Sequence, residues 1–141
     1  MRPPALALVV CLLVAQVPQS GETSGLRVTL ATDKPAYAPG EPLTFTLRVI
    51  NDSPRPIRLS FRTAQRFDFV VEDKQDREVW RWSAGRLFAQ VLGHETLGPS
   101  GGEFVARATA EGRFPPGVYT VKGIIPALEG GLAASASITV R

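Results

Sequence analysis

Phe67-Asp68-Phe69-Val70-Val71-Glu72-Asp73, Lys74-Gln75-Asp76-Arg77 and Glu78-Val79-Trp80-Arg81-Trp82-Ser83 follow one another without a gap, and Ala84-Gly85-Arg86-Leu87-Phe88 closes the stretch. Phe67, Phe69 and Val71 alternate with Asp68, Val70 and Glu72, which is the period of a strand. Trp80 and Trp82 alternate with Val79 and Arg81 in the same way. A turn centred on Gln75-Asp76 sets Val71 opposite Trp80 and Phe69 opposite Trp82, so that four large apolar side chains share one face as cross-strand pairs. Both tryptophans of the chain lie here, and each aromatic side chain can bury about 150–250 Å². Phe67, Phe69, Trp80 and Trp82 are therefore the expected structural core. Ser83-Ala84-Gly85 breaks the alternation, and Leu87-Phe88 follows in a predicted loop.

The same period recurs on both sides of this hairpin. Leu26, Val28 and Leu30 alternate with Arg27 and Thr29; Leu43, Phe45, Leu47 and Val49 alternate with Thr44, Thr46 and Arg48; Ile57, Leu59 and Phe61 alternate with Arg58 and Ser60. The connection from Thr32 to Pro42 is punctuated by Pro35, Pro39, Gly40 and Pro42, with Tyr37 placed to pack back onto the sheet. Asn51-Asp52-Ser53-Pro54-Arg55-Pro56 reads as a turn cluster. Further strands are predicted over Glu103–Thr109, poor in bulk because of Ala106 and Ala108, over Val118–Ile125 and over Ala136–Val140. Helical periodicity is missing outside the first residues, apart from a segment at Phe88–Leu92 too short to assign. About seven or eight short strands with frequent turns predict an all-β, immunoglobulin-like antiparallel sandwich.

Met1-Arg2 followed by the apolar run Ala5–Ala15 has the form of a secretory signal peptide, too short to span a bilayer. We therefore assign residues 1–20 to a signal peptide, with cleavage between Ala15 and Gly25, and residues 25–141 to one domain, exported to the periplasm or the medium. Cys11 is the sole cysteine, so removal of the leader leaves no thiol and no disulfide. The formal charge of +3 is carried mostly by arginines interspersed with acids, which argues against nucleic acid as a partner. Arg81 stands between two tryptophans but faces away from both in a strand, so base stacking is not expected.

Catalytic chemistry has little to stand on. His94 is the only histidine and sits in a predicted loop between Gly93 and Glu95. A zinc site, a nucleophile elbow and a phosphate loop are not suggested by any motif. Glu72, Asp73 and Asp76 gather at the hairpin turn without the spacing of a calcium loop. We expect no catalytic residues, no metal and no cofactor, hence no enzyme.

Arg66-Phe67-Asp68-Phe69, Glu78-Val79-Trp80-Arg81-Trp82-Ser83, Phe88 and the later Pro116-Gly117-Val118-Tyr119-Thr120-Val121 together resemble the BsuPI-type intracellular proteinase inhibitors of bacteria. The resemblance spans roughly Leu43 to Val121, and its specific part is the Phe-Asp-Phe strand paired with Trp-Arg-Trp-Ser. It implies an immunoglobulin-like sandwich and, for founding members, inhibition of a subtilisin-type serine protease. Asp76 stands where such hairpins often carry Gly, although Asp tolerates a left-handed turn better than most residues. An inhibitor needs an exposed, stiff loop that offers an apolar side chain. Leu87 and Phe88 after the small-residue break, and Phe114 before Pro115, are the candidate protein contacts. The alternative is a non-inhibitory immunoglobulin-like interaction module of the cell envelope.

Overall fold

The computed structural model describes residues 13–14, 25–112 and 114–141, and every regular element among them is a strand. In chain order these are β1 (Leu13–Val14), β2 (Leu26–Thr32), β3 (Ala36–Tyr37), β4 (Leu43–Asn51), β5 (Ile57–Phe61), β6 (Asp68–Glu72), β7 (Glu78–Arg81), β8 (Gly93–Leu97), β9 (Gly102–Ala110), β10 (Gly117–Ile125) and β11 (Leu132–Val140). One sheet has the order β1-β11-β10-β6-β7, with β3 lying parallel along the end of β11. A second has the order β2-β4-β9, and β5 pairs with β8 in a third. The result is the expected all-β, immunoglobulin-like sandwich.

Alternation places the core. Along β4, Leu43, Phe45, Leu47, Val49 and Asn51 are buried while the residues between them are half exposed. The alanines that make β9 look weak have a packing reason. Ala106, Ala108 and Ala110 lie beside Leu47, Phe45 and Leu43 on the neighbouring strand, so β4 supplies the bulk and β9 the space. Gly123 plays the same part in the facing sheet. A methyl group there would meet Leu47 Cδ1 at 2.8 Å, so the two layers approach closely at that point.

The central hairpin takes the expected register, with Val71 opposite Trp80 and the Trp82 amide donating to Phe69 O at 2.9 Å. Its turn closes at Asp76, which adopts φ 61°. Asp73 accepts the Gln75 and Arg77 amides and the Arg77 guanidinium within the hairpin, and Glu72 pairs with Lys122 of the neighbouring β10. Two expectations need correction. Only Phe69 of the four aromatics is fully buried; Phe67, Trp80 and Trp82 are half-buried and pack on the rim of the core, because β7 is the edge strand of its sheet, although Trp80 still reaches Phe45 of the facing sheet at 6.0 Å. His94 lies not in a loop but in β8, opposite Ser60. Phe88–Leu92, too short to assign from its sequence, has no regular structure.

Asn51 is the interior's unexpected polar group. Its amide nitrogen donates to the carbonyls of Arg55 at 2.8 Å, Leu97 at 3.1 Å and Gly98 at 3.0 Å, while Oδ1 accepts the amide and hydroxyl of Ser53. It joins the end of β4 to the loop beyond β8. The predicted leader falls mostly outside the described residues. Its Leu13–Val14, however, form β1 and pair antiparallel with Ser135 and Ala134 of β11.

Candidate protein-contact loop

Between β7 and β8 the chain runs from Trp82 to Leu92 without regular structure. What holds the start of this loop is Asp68, on the outward side of β6. Its carboxylate accepts Phe69 N at 2.9 Å, Ser83 N at 3.1 Å, Ser83 Oγ at 2.6 Å and Arg81 Nη1 at 2.9 Å. A buried carboxylate needs such a full set of donors. Arg81 also donates to both oxygens of Glu78. The hydrogen bonds it donates to Glu78, and then to Asp68, outweigh its partial burial and raise the guanidinium above its ordinary range. The Phe-Asp-Phe and Trp-Arg-Trp-Ser segments are thus tied twice: by aromatic packing on one face and by Asp68 on the other.

Two successive turns follow, closed by Ala84 N to Arg81 O at 3.2 Å and Arg86 N to Ser83 O at 3.0 Å. Gly85 takes φ 78° at the third position of the second turn, where a positive φ favours glycine. The chain then passes over Trp82. The Arg86 guanidinium stacks on its ring at 4.2 Å and donates from Nε to the Trp82 carbonyl at 2.8 Å, while the Phe88 ring sits 5.9 Å from the same indole. Phe67 packs against Trp82 at 4.4 Å, and Phe69 and Phe45 continue the aromatic series into the core. With Arg86 and Phe88 both turned onto the indole, Leu87 between them is left pointing outward, 98 % exposed.

The far half of the loop is pinned as well. Ala64 N donates to Ala89 O at 2.9 Å. At the exit, the Arg66 guanidinium lies over the Phe61 ring, donates to Glu95 and Thr63, and packs against Gly93, where an added methyl would sit 2.5 Å from Arg66 Nη2. Between these ties Val91 and Leu92 are exposed, Leu92 to 77 %. The loop therefore shows water two apolar points, Leu87 and the Val91–Leu92 pair, on a backbone fixed at both ends and near its middle.

Of the sequence candidates, Leu87 is exposed, Phe88 is half-buried against Trp82, and Phe114 is buried. Phe114 stacks edge-on against Tyr119 at 5.7 Å, and the Tyr119 hydroxyl donates to Pro115 O at 2.6 Å, so this aromatic is part of the corner leading into β10 and is not available as a surface contact. Sequence reasoning passed over Val91, Leu92 and Leu128, and took Arg86 only as part of the Arg86-Leu87-Phe88 loop. A run of exposed apolar residues leaves no periodic signal, and the role of Arg86 follows only from its position over Trp82.

One protein-family model matches residues 30–130, and its description is BsuPI, intracellular proteinase inhibitor. No curated protein matches the chain. Among solved structures, the sporulation control protein Spo0M from Bacillus subtilis aligns with 83% of this chain and 49% of its own at 21% identity and a TM-score of 0.55. The C-terminal domain of wzt aligns with 83% of this chain and 74% of its own at 12% identity and a TM-score of 0.52. The alkylpurine DNA glycosylase AlkC from Pseudomonas fluorescens aligns with 83% and 30% at 15% identity and a TM-score of 0.50. The chain thus spans about half of Spo0M and less than a third of the glycosylase, and at these identities the likeness is one of fold alone. The family description corrects the export expected of the first residues: the family is described as intracellular. Composition of an apolar run could not reveal this, since a run of Ala, Leu and Val serves a leader and a strand equally, and Leu13–Val14 stand in a strand.

Proposed function

Because the chain belongs to the BsuPI family of intracellular proteinase inhibitors, we propose that it inhibits a subtilisin-type serine protease through the loop from Ser83 to Leu92. The observation that carries this reading is the exposure of Leu87 between two residues held on Trp82. A protease pocket that takes large apolar side chains gains from burying Leu87. The loop also gives up little freedom on binding, where ordering a mobile side chain costs about 0.5–1.5 kcal/mol. Phe88 serves as a brace in this arrangement and Leu87 as the anchor. Phe114, buried beneath Tyr119, takes no part.

The test is titration of subtilisin with the parent and with Leu87→Ala. A buried anchor truncated to Ala commonly loses about 2 kcal/mol or more, so the variant should inhibit at least about thirtyfold less well while melting as the parent does. Inhibition equal to the parent's would remove Leu87 from the contact. A parent that leaves subtilisin fully active would favour a non-inhibitory interaction module instead.

A further inference from the structure

Beside the loop, the β5–β8 pair and the connection from β10 to β11 enclose a shallow cavity lined by Arg58, Phe61, Leu92, His94 and Leu128 among others. We propose that this cavity is a second contact for the same protease, receiving an apolar side chain that stands next to a carboxylate. The inference rests on the inhibitory reading of the loop, since Leu92 belongs to both.

The cavity is built rather than incidental. Ser60 N donates to Glu129 Oε1 at 2.8 Å, and Leu128 N donates to Ser60 O at 2.8 Å, so the β10–β11 connection is fastened to β5 on both sides of one residue. That fastening holds Leu128, which is 47 % exposed, across from Leu92. Two exposed leucines facing one cleft leave apolar surface that a partner's side chain would remove from water.

Charge selects the neighbour of that side chain. Arg58 is exposed on β5, and its Nη2 lies 3.2 Å from Nδ1 of His94. A guanidinium can only donate, so that imidazole nitrogen accepts in this contact. Arg58 is thus oriented by a side chain that is not a carboxylate. Glu129 feels its field, but its Oε1 is committed to the Ser60 amide. Among the described residues the ion pairs of the neighbourhood are made by Arg66 with Glu95, and not by Arg58. The rim of the cleft therefore favours an acidic group on the partner, and such a contact acts on association rate and partner choice more than on raw affinity.

The test compares subtilisin inhibition by the parent, Leu87→Ala, Leu128→Ala, Arg58→Gln and Arg58→Glu, each checked for an unchanged melting profile. Arg58→Glu should weaken inhibition about tenfold at low salt, mainly through slower association, with Arg58→Gln intermediate and the difference shrinking in high salt. Leu128→Ala should weaken inhibition independently of salt. If Leu87→Ala is impaired while both Arg58 variants and Leu128→Ala match the parent, the second contact is wrong and the loop stands. If the parent does not inhibit, or Leu87→Ala inhibits as the parent does, the loop reading fails and this inference falls with it.

Discussion

Asn51 and Asp68 are the two buried polar side chains among the described residues, and each joins segments distant in sequence. Asn51 serves Leu97 and Gly98, and Asp68 serves Arg81 and Ser83. Removing the Asn51 amide leaves several carbonyls and the Ser53 donors short of partners. At about 1–3 kcal/mol for a buried group left unsatisfied, Asn51→Ala should lower stability by about 2–3 kcal/mol in urea denaturation. A loss below about 0.5 kcal/mol would show that water replaces the amide. Neither role could be read in the sequence. Asp68 falls on the polar phase of its strand and Asn51 opens a turn cluster, so both look solvent-facing until their partners are brought near. The exposure of Leu87 fits its expected place in a loop, because a break in alternation followed by two apolar residues leaves one of them outside. Its partner Phe88 was ambiguous for the same reason: the pattern cannot say which of the two turns back.

Elements divide along similar lines. The hairpin register followed from period and turn length, and Val71 does face Trp80. The depth of burial did not follow, since alternation marks a face without saying whether another layer covers it, and β7 lies at an edge. β8 went unread because Gly93-His94-Glu95-Thr96-Leu97 has no apolar alternation; pairing with β5 makes it a strand. At the loop exit, Gly93→Ala would drive a methyl into Arg66 and push the guanidinium off Phe61 and Glu95. The displaced atoms are the end of a flexible side chain, so the cost is that of the Arg66 contacts and not of an overpacked core; a small fall in Tm is expected, and an unchanged Tm would mean that Arg66 moves freely. Phe114→Ala should destabilise by about 3–5 kcal/mol, as core aromatic truncations do. Assayed below its lowered Tm, it should inhibit as the parent does. Selective loss of inhibition by a folded Phe114→Ala would restore Phe114 as a contact.

At the level of the whole molecule, the sandwich followed from repeated short strands; the alanines that make β9 look weak stand beside the bulk of β4, and the two layers approach closely at Gly123. Acid stability depends on carboxylates fixed across the fold. Burial works to raise Glu129, but the Ser60 amide and hydroxyl and the charge of Arg58 outweigh it, and the net shift is downward. A carboxylate with a lowered folded value stabilises above its unfolded value of about 4.3 and loses that contribution as pH falls through the folded one. The Tm of the parent should therefore drop more steeply than that of Glu129→Gln between about pH 5 and about pH 3. Parallel curves would assign the acid limb to other carboxylates.

The central claim is that the loop from Ser83 to Leu92 is the surface a protease covers. Hydrogen exchange of the full chain, alone and with a saturating excess of inactivated subtilisin, tests it most directly. Slowed exchange should appear at the Leu87, Gln90, Val91 and Leu92 amides, with β2 and β4 unchanged. Protection confined to the β2-β4-β9 sheet, with the loop exchanging as in the free protein, would contradict it.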